Sequence, residues 1–184
     1  PEHDRDSGQA CKAYGAAGLM RLPLRLQISW QTDDQLLIET DAGQQSRLLN
    51  FTGEVPDGTG PSLQGYSLAG WRGDTITRYG ETSESPAHYL EVVTDHMTAG
   101  YLRLNGVPYG QNARLTEYFH QQSAYGGEWL TVTTVVEDPD YLTEPFVTSS
   151  TFRKVDRRSS GWNPEPCLSR WGPIETTEVT SDDR

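Results

Sequence analysis

The chain has 184 residues, with 15 Lys and Arg against 26 Asp and Glu, for a net charge of −11. That balance lacks the basic footprint needed for nucleic acid binding, and it disfavours docking on an anionic membrane surface. No apolar run approaches the ~18 residues of a membrane-spanning helix, so membrane insertion is not expected.

With 34% hydrophobic residues, 18 Gly and 11 Pro, the composition is that of one turn-rich globular domain with a single core. The chain begins at Pro1, without Met and without a positively charged apolar leader. The expectation is a secreted or periplasmic protein whose signal peptide has been removed, or a trimmed chain. Cys11 and Cys167 sit near opposite ends. Paired, they close a loop of about 157 residues, worth roughly 5 kcal/mol in the chain-entropy model. Such a lone long-range disulfide suits an exported protein. The alternative is two reduced, buried thiols.

Residues 1–18 are polar and Gly/Ala-rich and read as an arm held by Cys11. From Leu22 to Trp30 apolar residues alternate, predicting a half-buried strand. Turn residues at Thr32-Asp33-Asp34 and Asp41-Ala42-Gly43 separate it from strands over 35–40 and 46–51. A Gly/Pro-rich loop over 52–61 precedes a strand over 63–71. Arg72-Gly73-Asp74 reads as a turn, and the polar residues 78–87 as a mobile excursion. Residues 89–97 form a strand, 98–112 a long loop, and 113–120 a further strand. A turn at Ser123–Gly127 leads into the Thr/Val-rich strand 129–137. Asp138-Pro139-Asp140 turns the chain into a last strand, 146–155, and the polar tail follows.

Eight strands with short connections and no convincing helix imply an all-β chain. The predicted architecture is an eight-stranded antiparallel up-and-down barrel, large enough to hold side chains or one small ligand. A two-sheet sandwich is the alternative. The domain plan is an arm over 1–18, the barrel over 19–157, and a tail over 158–184 tied back by Cys167.

Several segments carry a resemblance. Cys11 precedes Gly18-Leu19-Met20-Arg21 and Pro23, and Leu36, Ile38 and Thr40-Asp41-Ala42-Gly43 follow the first strand. Then come Gly70-Trp71-Arg72-Gly73-Asp74-Thr75, Leu115-Thr116-Glu117-Tyr118-Phe119 and Val136-Glu137-Asp138-Pro139, with Tyr141, Leu142, Thr143, Pro145 and Phe146 completing the series. In this order, over residues 11–155, the chain resembles a widespread group of exported, mostly uncharacterised bacterial proteins of lipocalin-like appearance. The resemblance implies export and a β-barrel, and no established reaction.

Strand parity sorts the residues that could carry chemistry. Ala113, Leu115, Glu117 and Phe119 share the apolar face of their strand, so Glu117 points inward, where burial would raise its pKa and suit it to acid–base work. The other reading is a structural Glu bonded to Arg or Tyr neighbours. Leu130, Val132, Thr134 and Val136 put Asp138 at the rim of the barrel, as an assisting acid or as a turn initiator. The parity of 89–97 is ambiguous. If Leu90, Val92 and Thr94 are internal, His96 enters the lumen; if not, Asp95 does. In the long loop, Tyr101, Arg103 and Tyr109 could cover the mouth and meet a ligand. Trp71 could stack on that ligand or plug the barrel floor.

The four His residues form no ligand-spaced pair, so neither a metal nor a cofactor is expected. Two functions follow. One is a cofactor-independent acid–base enzyme (isomerase, lyase, cyclase or hydrolase) with Glu117 as proton donor or acceptor, assisted by His96 or Asp138. The alternative is a non-catalytic carrier or sensor of a small, partly apolar organic molecule. A homo-oligomer is compatible with either.

Overall fold

The computed structural model describes residues 14–78, 81–102 and 106–166. Cys11, Cys167 and Arg103 lie outside them, and with them the disulfide. One sheet organises the chain: β1 (Leu26–Thr32), β2 (Gln35–Thr40), β4 (Ser46–Asn50), β5 (Tyr66–Arg78), β6 (Glu81–Asp95), β9 (Arg114–Ala124), β10 (Gly127–Glu137) and β11 (Phe146–Arg153), in that spatial order. Four two-residue pieces, β3 (Ala42–Gly43), β7 (Gly100–Tyr101), β8 (Pro108–Tyr109) and β12 (Glu165–Pro166), form two small ladders beside it. The single helix among the described residues is a one-turn α1, Ala16–Leu19.

The eight expected strands correspond one to one with those of the large sheet. The expected closure does not occur. The sheet curls through 217° as a half-barrel, and one neighbouring pair is parallel rather than antiparallel. The parallel pair is β4–β5, in register at Leu49–Ser67 and Asn50–Leu68, because residues 51–65 carry the chain back along the sheet before β5 begins. The edge strands β1 and β11 do not pair with each other.

Other parts of the chain fill that seam. Ala16, Ala17, Leu19 and Met20 are buried. Met20 belongs to the same apolar cluster as Ile38 of β2 and Val132 of β10. Arg21 places its guanidinium 5.2 Å from the centre of the Phe146 ring on β11. Of these buried residues, Ala16 and Ala17 fall in the expected arm and are core. After β11 the chain bonds Lys154 N–H to Glu128 O, passes Gly161 against the Arg25 guanidinium, and donates Glu165 N–H to Asp41 O. There β12 pairs parallel with β3. This strap joins the β10–β11 side of the sheet to the β1–β2 side. With α1 it spans the gap by side-chain packing and short ladders instead of a continuous strand pair.

Three local differences have physical causes. Leu22–Arg25 alternates like a strand but precedes β1, because this stretch follows α1 across the seam. Arg72-Gly73-Asp74 is no turn: β5 continues through it with register shifts on both sides of Gly73, and the first residues of β6, from Glu81 to Ala87, pair back on it. Gly73 marks a bulge there, a common place for Gly inside a strand. The long loop 98–112 holds the small β7–β8 ladder. The β9–β10 hairpin turns as expected: Tyr125 (φ 52°) and Gly126 (φ 70°) are both left-handed, the backbone twist that two-residue hairpin loops require.

Candidate functional site

Directly opposed residues of neighbouring strands point to the same face of a sheet, so register identifies what lines the concave side. At one end, the α1 end, Ala16, Ala17, Met97, Leu102, Tyr109, Ala113, Leu115 and Val136 form one apolar cluster. Towards the other end, where the β1–β2, β5–β6 and β9–β10 hairpins turn, Met20, Ile38, Leu49, Leu90, Val92, Phe119 and Val132 form a second.

A polar layer one residue deep divides the two. Arg47 of β4, Ser67 of β5, Thr94 of β6, Glu117 of β9 and Thr134 of β10 are all buried. Glu117 lies opposite Val92 and Thr134, as inward parity requires. Nη1 of Arg47 is 2.5 Å from Glu117 Oε2, with side-chain exposures of 1% and 0%. Arg47 also donates from Nε to Ser67 Oγ (3.1 Å) and from Nη2 to Thr94 Oγ1 (2.7 Å). The two hydroxyls lie 2.8 Å apart. Burial pushes the Glu117 carboxyl above the ordinary carboxylate range, and the Arg47 charge opposes that shift.

Glu117 therefore faces inward as the sequence predicts, with the Arg neighbour of the structural reading. Its side chain has no exposed surface, so no water-sized space touches the carboxylate. The residues expected to assist it are elsewhere. Leu90, Val92 and Thr94 are internal, but β6 ends at Asp95 and His96 takes a left-handed φ of 57°. That flips the parity: His96 is exposed and Met97 is buried. Asp138 is buried at the α1 end, where it holds a turn. It accepts from Gly110 N–H (2.6 Å) and Asp140 N–H (2.9 Å).

The aromatic candidates also separate. Tyr101 is half-buried in β7. Tyr109 is buried at the α1 end with its pKa pushed up to about 12 by desolvation. Gly15 and Gly100 make room for it: a Cβ on Gly15 would lie 2.2 Å from the Tyr109 hydroxyl, and one on Gly100 within 2.9 Å of its ring. Tyr101 and Tyr109 of this loop thus belong to the α1 end. Trp71 stands at the opposite end. It is opposite Leu90, hence concave, yet 56% exposed.

Trp71 has companions that the sequence reading passes over. Trp30 is opposite Leu36 and is 53% exposed. The Phe51 ring lies between the two Trp side chains, 5.1 Å from Trp30 and 6.1 Å from Trp71 by centroid, with tilts of 42° and 34°. Ile28, opposite the buried Ile38, extends this apolar strip along β1. β1, which carries Trp30 and Ile28, is an edge strand of the sheet.

Among the described residues, no group of three His, Cys, Asp or Glu is placed to hold a metal ion, and no helix is long and apolar enough to cross a membrane. Comparison with known proteins adds no family, since no protein-family model, curated protein or solved structure matches the chain.

Proposed function

We propose that this chain binds a small, partly apolar organic molecule at the hairpin end of its half-barrel, as a carrier or sensor. One observation carries the reading: Trp30, Phe51 and Trp71 form a contiguous aromatic strip on the concave face, and both Trp rings remain more than half exposed. Large aromatic side chains on a core-facing surface bury substantial area when covered, and ligand sites are lined in this way. The acid–base reading asks a substrate to reach Glu117 through the Phe119–Leu90–Val92 layer, so it requires an opened core and is the weaker one. In the binding reading, Glu117 serves as the counter-charge of Arg47.

Kinship with the exported lipocalin-like group, and export itself, belong to this proposal. The order of the motifs and the curled eight-stranded sheet support them. Native mass spectrometry of gently purified protein tests the binding. The expected result is a small-molecule adduct on the wild type that Trp71→Ala loses while keeping its melting temperature within a few degrees. An adduct held equally by Trp71→Ala, or the same adduct lost on Glu117→Gln, would move the site to the core.

A further inference from the structure

The charges around the aromatic strip narrow the ligand class; this inference rests on the binding site proposed above. Asp34, in the β1–β2 turn, accepts Phe51 N–H at its carbonyl (2.9 Å), which fixes the turn beside the central ring of the strip. Its carboxylate accepts from Thr32 Oγ1 (2.6 Å) and Thr52 Oγ1 (2.7 Å). Those hydroxyls hold its pKa below the ordinary range, so it is anionic at neutral pH. Asp33 adjoins it and is exposed.

On the β10 side, Glu128 shares parity with Leu130, Val132 and Thr134, and so faces the concave side at the β9–β10 hairpin, opposite Ser123. Ser123 and Gln121 donate to its carboxylate and keep it ionised. Two basic side chains described near this end point the other way. Arg72 follows Trp71 by one residue and therefore points to the convex face, where it pairs with Glu91 at 3.1 Å. Arg153 lies over the Trp129 ring, also convex. Lys154 is the basic side chain that acts on Glu128.

We propose that the open end takes an organic cation: a substituted ammonium group on an apolar body, seated on the Trp30 and Trp71 faces, with Asp34 and Glu128 supplying the counter-charge. Trp faces attract such cations through the ring quadrupole, and an ammonium carrying alkyl groups loses little hydration on leaving water. An anionic amphiphile on the same strip would meet Asp33, Asp34 and Glu128 at its head group.

The test is a titration of the full chain with three probes that share a phenyl body: benzyltrimethylammonium, benzyl alcohol and phenylacetate. Tryptophan fluorescence and calorimetry provide the readouts. The cation is expected to bind at least about fivefold tighter than either other probe, the scale of one cation–π contact. Trp71→Ala is expected to abolish that binding and Asp34→Asn to weaken it about two- to fivefold. Both positions are solvent-exposed, and thermal melting verifies that the variants fold. Equal or tighter binding of benzyl alcohol or phenylacetate, lost on Trp71→Ala, would overturn the cation while leaving the aromatic site in place. Absence of any Trp71-dependent binding by all three would overturn both.

Discussion

The two ends of the half-barrel treat the same concave face in opposite ways. At the α1 end, small residues let a turn of helix, the β7–β8 ladder and Tyr109 pack into the opening, and the lining is buried throughout. At the hairpin end β1, the residue after β4, and β5 present Trp30, Phe51 and Trp71, and both Trp side chains stay more than half exposed. Between them lies the Arg47–Glu117 layer. The contrast teaches that burial in this fold comes from inserted chain rather than from closure of the sheet. Where no chain is inserted, apolar surface is left available.

The sharpest way to break this picture is at the layer between the ends. Glu117→Leu leaves the Arg47 guanidinium buried without counter-charge and is expected to cost about 3–5 kcal/mol in denaturant unfolding. The double variant Arg47→Met/Glu117→Leu is expected to recover most of that loss or to exceed the wild type, because an apolar layer needs no desolvation of charge. A double variant as unstable as the single one would show that Arg47 does more than neutralise Glu117.

The next contrast sets one end against the other. Gly15→Ala puts a methyl group within 2.2 Å of the Tyr109 hydroxyl and 2.7 Å of the Leu63 carbonyl. Overpacking of this kind is expected to cost about 1–3 kcal/mol. Trp71→Ala at the open end is expected to cost about 1 kcal/mol or less and to remove ligand binding. Reversed costs would mean that the aromatic strip is a structural element and the α1 end is the adaptable one.

A smaller effect appears with pH. The folded-state pKa of Glu117 lies above its unfolded value, so its bound proton favours the fold. That contribution is complete below the ordinary carboxylate pKa and is lost as pH rises through the raised value. Wild-type stability relative to Glu117→Gln is therefore expected to fall as pH increases from about 4 upward. Paired unfolding curves across pH 4–9 provide the measurement, and a gap moving the other way would place the folded pKa below the unfolded one.

Much of this was legible in the sequence, and the gaps have definable causes. Period-two alternation gave the strands, and the Leu115–Glu117–Phe119 series gave the inward carboxylate. The partner was also within reach, since Arg47 shares parity with Leu49 on a five-residue strand, but a basic residue among polar neighbours reads as solvent-facing until the register is known. His96 escaped because parity assumes extended backbone, and a single left-handed residue ends that assumption. Closure is not legible because strand number alone does not reveal that α1 and the strap lie where β1 and β11 would otherwise meet. Trp30 and Phe51 looked like ordinary strand residues. Their exposure depends on which strand is an edge, which is a property of the whole sheet.

The central claim, a ligand seated on the open aromatic end, is tested most directly by the tryptophan indole N–H signals in a ¹⁵N-labelled protein. Trp129 serves as an internal reference, because its Nε1 is bonded to Ala124 O (2.8 Å) on the convex side. On titration with benzyltrimethylammonium, the Trp30 and Trp71 indole signals are expected to shift together and to saturate, while the Trp129 signal stays in place. Stationary Trp30 and Trp71 signals, or a shift confined to Trp129, would contradict the account.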